Sequence, residues 1–532
     1  MSREFTHSIR LFFPYTFDSN ALPSEYKLFS DKLTNLKVND LVKKAAFLDN
    51  DVHDSFLHSE VWQQSNFKLD RRIHSFADKL VNGIQSIPFS DGFFGMPPCK
   101  LSNDSIRVLN KGTPNTLGSA ISISLKPSAV KRLAAAGISP PIGENAWPLM
   151  FNNIWFYGLN NGVGMMMIDL SFKQPGKSGL SITHLAELQE INYVICRNSN
   201  DHQSPLLDWG TQPNSDKNGD KSIKGLSKLV DVLLPKQIGQ SINLNPTNDR
   251  NNTYSYTFLS TVQGIQEQDR KNYCFRLARK YNELYLPDNI EQQAEFFEPF
   301  RPITHVFSLE GAASYIDLSA YENPAPESIK NFDTAAIPQA YVPIVMLTYA
   351  EYIFLREINS NTPDSERVDM RNPTSENLQL LREHRTKLYD FRLNFRYSQI
   401  SGNTNHNIFC NANKKALEIK SLLSETSSDA QEIEQYIADH VSQSHDARIK
   451  KYGVLGSLFA VIIGWVDLWG LNLHSIIFES SKTEQSSVFL FLVVLILLSA
   501  SVIYLSRTPS TKKQKKNRYS KSENIKRKAN NE

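Results

Sequence analysis

The sequence predicts a membrane protein: an α+β body, long stalk helices, and two C-terminal transmembrane helices. Three observations carry this. The first two-thirds of the chain alternates β-rich runs with helical patterns, as in "SIRLFFPYTF" and "AISISLKPSAVKRLAAAG". A long helical pattern then carries only a sparse apolar stripe: Leu417, Leu422, Ile433, Ile437 and Val441. Finally, "YGVLGSLFAVIIGWVDLWGLNL" (452–473) and "VFLFLVVLILLSASVIYL" (488–505) are apolar over the roughly 17–20 residues that a bilayer requires.

The bulk numbers bound the function classes. The 532 residues exceed one simple domain, and 40% hydrophobic with 21% charged residues suffices for packed cores. A formal net charge of only +3 argues against direct nucleic-acid binding. Cys99, Cys196, Cys274 and Cys410 lie far apart with no CxxC pair, as expected of reduced thiols. "MSREFTHSIRLFFPYTF" carries charges where a secretory signal would be apolar.

Taken in order, residues 1–365 read as a cytoplasmic α/β sensor-like domain. "NNIWFYGLNNGVGMMMIDLSF" is a hairpin with its turn at Asn160, Asn161 and Gly162, and a helical pattern follows. "ITHVFSLEGAASYIDLSAY" repeats that order ahead of "AYVPIVMLTYAEYIFLREI". Both hairpins end in Ile-Asp-Leu-Ser (168–171 and 316–319), which reads as a duplicated hairpin–helix unit or as chance likeness. Residues 366–451 form a helical stalk opened by Thr374 and Ser375 as caps, broken at "SGNTNHN", with a kink suggested near Ser427. Residues 452–473 are the first span, 474–487 an external loop, 488–506 the second span and 507–532 a basic tail. Arg448, Lys450 and Lys451 precede the first span, ten Lys and Arg follow the second, and the loop holds one Lys and two Glu. The positive-inside rule then places both termini in the cytoplasm, with the chain in the inner membrane and its tail near anionic lipid.

Catalytic motifs are scarce. "PGKSG" (175–179) has the end of a phosphate-binding loop but Ser171 where the first Gly belongs, and Pro175 removes an amide, so a solvated loop fits better. "DKNGD" (216–220) lacks the acid spacing of a calcium loop. No HExxH or GxSxG occurs, so no enzyme and no organic cofactor is expected. "DRKNYCFRLARKYNEL" gathers Arg270, Lys271, Arg276, Arg279 and Lys280 among aromatics; it is either a site for a phosphorylated small molecule or a charged outer helix face.

The first span carries the sharpest pattern. Gly453, Ser457, Ala460, Gly464 and Asp467 follow steps of four and three, which keeps them on one helix face. Such a stripe serves close helix packing, or it lines a pore with an acid at its mouth. Gly470 can end the helix, and Asn472 then offers an amide that could hydrogen-bond a hydrated Mg²⁺. Asp467 and Asn472 are the candidate metal-contacting residues. One hairpin cannot enclose a pore, so this reading requires a homo-oligomer around an axis.

A long helix entering the membrane, Gly470-Leu471-Asn472 at the end of its first span, a short loop, a second span and a Lys-rich tail together resemble the CorA family of magnesium transporters. The resemblance covers roughly residues 430–516, and Leu471 stands where the family has Met. It implies a pentameric funnel, a pore lined by the first span, Asn472 in the selectivity ring, and Mg²⁺ or another divalent cation as the permeant ion. The chain's size is also similar to CorA-like proteins that accompany CRISPR systems. That likeness implies, as an alternative, a nucleotide-gated membrane effector of antiviral defence; a membrane-tethered binding protein without conduction is a third reading.

Overall fold

The structure is a computed structural model. It describes residues 5–17, 23–40, 54–65, 96–110, 121–123, 147–172, 185–198, 226–234, 253–320, 332–360, 375–394 and 399–468, with short gaps inside some blocks and a few short pieces between them. Two compact units divide the chain, Met1–Glu434 and Gln435–Glu532.

Among the described residues the first unit contains a 13-stranded mixed sheet. Its strands are β1 (Phe5–Phe17), β2 (Trp62–Gln64), β3 (Cys99–Leu101), β4 (Ile121–Ile123), β5 (Trp147–Gly158), β6 (Val163–Phe172) and β7 (Leu207–Asp208). They continue with β8 (Gln237–Ile238), β9 (Ile242–Pro246), β10 (Tyr254–Thr261), β11 (Glu295–Phe300), β12 (Ile303–Phe307) and β13 (Gly311–Asp317). The main path runs β11-β12-β13-β10-β1-β6-β5-β3-β2. β1 lies near the middle, antiparallel to both β6 and β10, so Arg10 stands opposite Asp169 on one side and Tyr256 on the other. β10 pairs in parallel with β13.

Both expected hairpins form, β5 with β6 and β12 with β13, and Gly162 turns the first at φ 82°. Their shared Ile-Asp-Leu-Ser tails have different fates. Asp169 pairs with Arg10 at 3.1 Å, whereas Asp317 accepts from the backbone and hydroxyl of its own neighbour Ser319. β6 also runs antiparallel to β1 while β13 runs parallel to β10, so the two hairpins are not equivalent in the sheet.

Helices cover both faces of this sheet. On one side lie α1 (Pro23–Thr34), α2 (Asn103–Leu109), α3 (Leu185–Asn198), α4 (Leu226–Leu233) and α5 (Glu267–Arg279), packed with Ile9, Leu11 and Phe13. On the other side a π-helical segment (Phe332–Tyr341), α6 (Val342–Ser360) and α8 (Thr404–Ala416) pack with Phe12, Tyr254 and Tyr256. Strand side chains alternate between faces, so a strand buried on both sides reads as the unbroken apolar run "LFF". α7 (Ser375–Asn394) stacks Phe391 on Phe354 of α6, with ring centroids 4.4 Å apart. α8 starts at the Asn403 cap and stops at Leu417. Glu418 then takes a left-handed conformation (φ 53°) before α9 (Ile419–Leu468) begins. The sequence reads one helical pattern through this point. Ser427, where it suggests a kink, sits inside α9 with its hydroxyl on the Leu423 carbonyl (2.5 Å).

Two expectations are corrected here. Among the described residues no helix is long and apolar enough to cross a membrane. The two C-terminal transmembrane helices, and with them the two-span inner-membrane placement with both termini in the cytoplasm, therefore do not stand. The apolar part of α9 that is described, 452–468, sits at the short end of the roughly 17–20 residues a bilayer requires and carries Asp467. The expected second span lies outside the described residues, as do "PGKSG" and "DKNGD".

Candidate functional site

α5 carries the basic, aromatic stretch singled out in the sequence. Glu267 and Asp269 sit in its first turn and Arg276 and Arg279 in its last, matching charge to the helix dipole. Lys280 closes it in a left-handed conformation (φ 55°), and the Tyr281 amide returns to the Arg276 carbonyl at 2.9 Å. Tyr273, Cys274 and Leu277 face the sheet and are buried.

The structure places all five basic residues at this helix and gives each a protein partner. Arg270 is buried and reaches Glu298 of β11 at 3.3 Å. Lys271 reaches the other Glu298 oxygen at 3.3 Å and Glu267 at 3.5 Å. Arg276 donates to the Tyr285 carbonyl. Arg279 pairs with Glu310 at 3.1 Å and lies over the Tyr281 ring. Lys280 donates to the Thr253 carbonyl. Glu298 is the hub, since it also accepts from the Thr304 hydroxyl at 2.8 Å. Burial alone would raise its carboxyl pKa, but Thr304, Lys271 and Arg270 outweigh burial and hold it below the ordinary value. Burial opposes the charge on Lys271 too; Glu298 and Glu267 outweigh it and raise that ammonium.

Not every donor here is answered. Among the described residues the Arg270 Nε, the Tyr273 hydroxyl and the Tyr315 hydroxyl are buried without a hydrogen-bond partner. Buried polar atoms are nearly always paired, so three orphans under one helix require a reason. Sequence reasoning included Arg270 and missed Tyr315 and Glu298. Both arrive from strands distant in sequence, and no local spacing marks them.

The opposite face of the sheet holds a cavity of about 20 Å³, lined by Leu159, Asn161, Thr348, Glu351, Cys410 and Lys414 among others. Lys414 pairs with Glu351 at 2.7 Å. Burial pushes the Cys410 thiol up to about 11, so it stays protonated near neutral pH and is a poor nucleophile. Behind the cavity, Asn413 accepts from the Tyr254 hydroxyl at 2.8 Å and donates to the Thr348 hydroxyl, tying α8 to β10 and α6. The space suits one water molecule rather than an organic ligand. Farther along that face, His305 Nδ1 and Ser314 Oγ are 2.6 Å apart, and Ser314 Oγ is 2.8 Å from the Tyr256 hydroxyl. All three are buried, and they link β12, β13 and β10.

The small-residue stripe lies on α9. Gly453, Ser457, Ala460 and Gly464 are exposed, and nothing lies within 4 Å of a Cβ built on Gly453 or Gly464. Asp467 falls in the last turn of the helix. Gly470, Leu471 and Asn472 lie outside the described residues. Among the described residues no three His, Cys, Asp or Glu side chains gather as a metal site. No family model matches the chain, and no curated protein matches it.

Proposed function

We propose that this protein is a ligand-responsive, self-assembling effector. Its α+β body reads a small ligand, and α9 gathers copies around an axis that offers a path to divalent cations. The observation that supports this is the distal surface of α9. Ile449, Tyr452, Val454, Leu458, Phe459 and Ile463 are 43–69% exposed, a run of large apolar side chains left uncovered among the described residues. Contiguous apolar surface of this kind marks an interaction site. At about 100° per residue, Val454 and Leu458 fall on one side of the small-residue stripe and Tyr452, Phe459 and Ile463 on the other, with Ile449 in line with Asp467. Two different flanks suit two different neighbours, the head-to-tail contact that closes into a ring. The stripe Gly453, Ser457, Ala460, Gly464 would then face the axis, with Asp467 supplying negative charge at one end. Five copies is the number that the CorA-like resemblance implies. An effector switched on by a nucleotide signal would use the same assembly.

Sedimentation of the purified chain tests this. The expected mass is a multiple of 60.5 kDa. Val454→Glu with Leu458→Glu should reduce it to one chain, because charge in a desolvated contact is costly. Mn²⁺ binding, followed by electron paramagnetic resonance, should weaken in Asp467→Asn without loss of assembly. A single-chain mass for the unmodified protein at all concentrations sinks the proposal. Assembly with Mn²⁺ binding indifferent to Asp467 leaves a non-conducting binding protein.

A further inference from the structure

We propose, building on the sensor role proposed above, that the junction of α5 with β11, β12 and β13 binds a phosphoryl-type oxyanion, held by Arg270 Nε, the Tyr273 hydroxyl and the Tyr315 hydroxyl. Arg270 and Tyr273 are three residues apart on α5, hence on one face of it, and both are buried. Tyr315 comes from β13, which packs against that helix, and is fully buried on the same side of the sheet. Tyr273 and Tyr315 lie within electrostatic reach of one another, and Arg270 of Tyr315.

The three orphans are all donors. Guanidinium Nε–H donates only, and two buried phenols with no acceptor in reach present O–H groups to whatever enters. What is missing is an acceptor with several oxygens. A planar guanidinium grips an oxyanion through two N–H groups on one edge. Here one such group, Nη2, rests at 3.3 Å on Glu298, while Nε is unused. Glu298 thus resembles a resident stand-in: a single carboxylate answering both Arg270 and Lys271. An entering oxyanion would take the Arg270 edge and both phenols and leave Glu298 to Lys271. The carboxylates facing the site are Glu298, Glu267 and Asp317. Glu267 is engaged by Lys271 and Asp317 by Ser319, so Glu298 is the one in competition.

The test is thermal denaturation of the full chain in sodium phosphate or pyrophosphate, against sodium chloride and acetate at matched ionic strength. The expected result is a saturable rise in Tm with phosphate or pyrophosphate only. Arg270→Gln should raise the half-saturating concentration on the order of tenfold or more, the loss of a charge-assisted bond. If Arg270→Gln does not fold, Arg270→Lys keeps the charge for Glu298 but lacks the Nε edge and should show the same loss. Tyr273→Phe and Tyr315→Phe should each hold or raise the Tm without anion, since they remove an unpaired hydroxyl, yet shrink the response to phosphate. Glu298→Gln should lower the half-saturating concentration. A rise no greater than in chloride, or one unchanged in the Arg270 and tyrosine variants, overturns the site. Phosphate binding that leaves assembly and Mn²⁺ binding unaltered would instead overturn the sensor role and spare the site.

Discussion

A single buried histidine shows how residue-level chemistry governs this fold's response to acid. His305 is enclosed by Phe297, Tyr341 and Phe409, with Phe332 beyond. Burial lowers its pKa to about 3, from 6.5 for a free imidazole. The unfolded chain therefore binds a proton that the folded chain refuses. The neutral ring contributes its full stability above pH 6.5, and that contribution drains as pH falls toward 3, at about 1.4 kcal/mol per pH unit. His305→Gln keeps a partner for Ser314 but does not titrate. Its urea midpoint should fall less steeply than the parent's between pH 6 and 4; equal slopes would mean that other groups govern the acid response.

Elements are where local reading succeeds and long-range pairing escapes it. The β5–β6 turn was legible because Asn160-Asn161-Gly162 interrupts two apolar runs, and only a residue at ease with positive φ suits the place that Gly162 takes. The stop between α8 and α9 was not legible. Glu418 is an ordinary helix former, and its left-handed turn follows from the packing of Leu417 and Ile419 against the sheet. The α5 cluster was half legible: its basic residues stand together in sequence, whereas Glu298 and Tyr315 meet them only through sheet topology. The run from 452 has the apolar length of a span, but length does not say what packs on it; in α9 its described large side chains are exposed. The parallel pairing of β10 with β13 also has a tight spot. A Cβ on Gly311 would stand 2.5 Å from Ser255 Oγ, 2.7 Å from the Ser255 carbonyl oxygen and 2.9 Å from that of Ala278. Two of those three atoms are backbone and cannot rotate away. Gly311→Ala should cost about 1–3 kcal/mol, read as a lower urea midpoint with unchanged slope.

At the scale of the whole molecule, the first strand holds the sheet together. β1 lies between β6 and β10 and also meets β9. Ile9, Leu11 and Phe13 serve one face and Phe12 the other, so one strand contributes to both cores. Removing residues 1–17 should leave the body without cooperative unfolding and open to limited proteolysis; a resistant fragment of undiminished size would show that the sheet closes without it.

That central position also has a timetable. On the ribosome β1 emerges well before its partners, since Leu170 and Thr261 belong to segments made much later. At about 5–20 residues per second, the roughly 250 residues separating Phe5 from Thr261 take on the order of 10–50 s to appear. β1 waits with both edges open until β6 is made, and with its β10 edge open until residue 261, an apolar edge exposed to wrong pairing for that long.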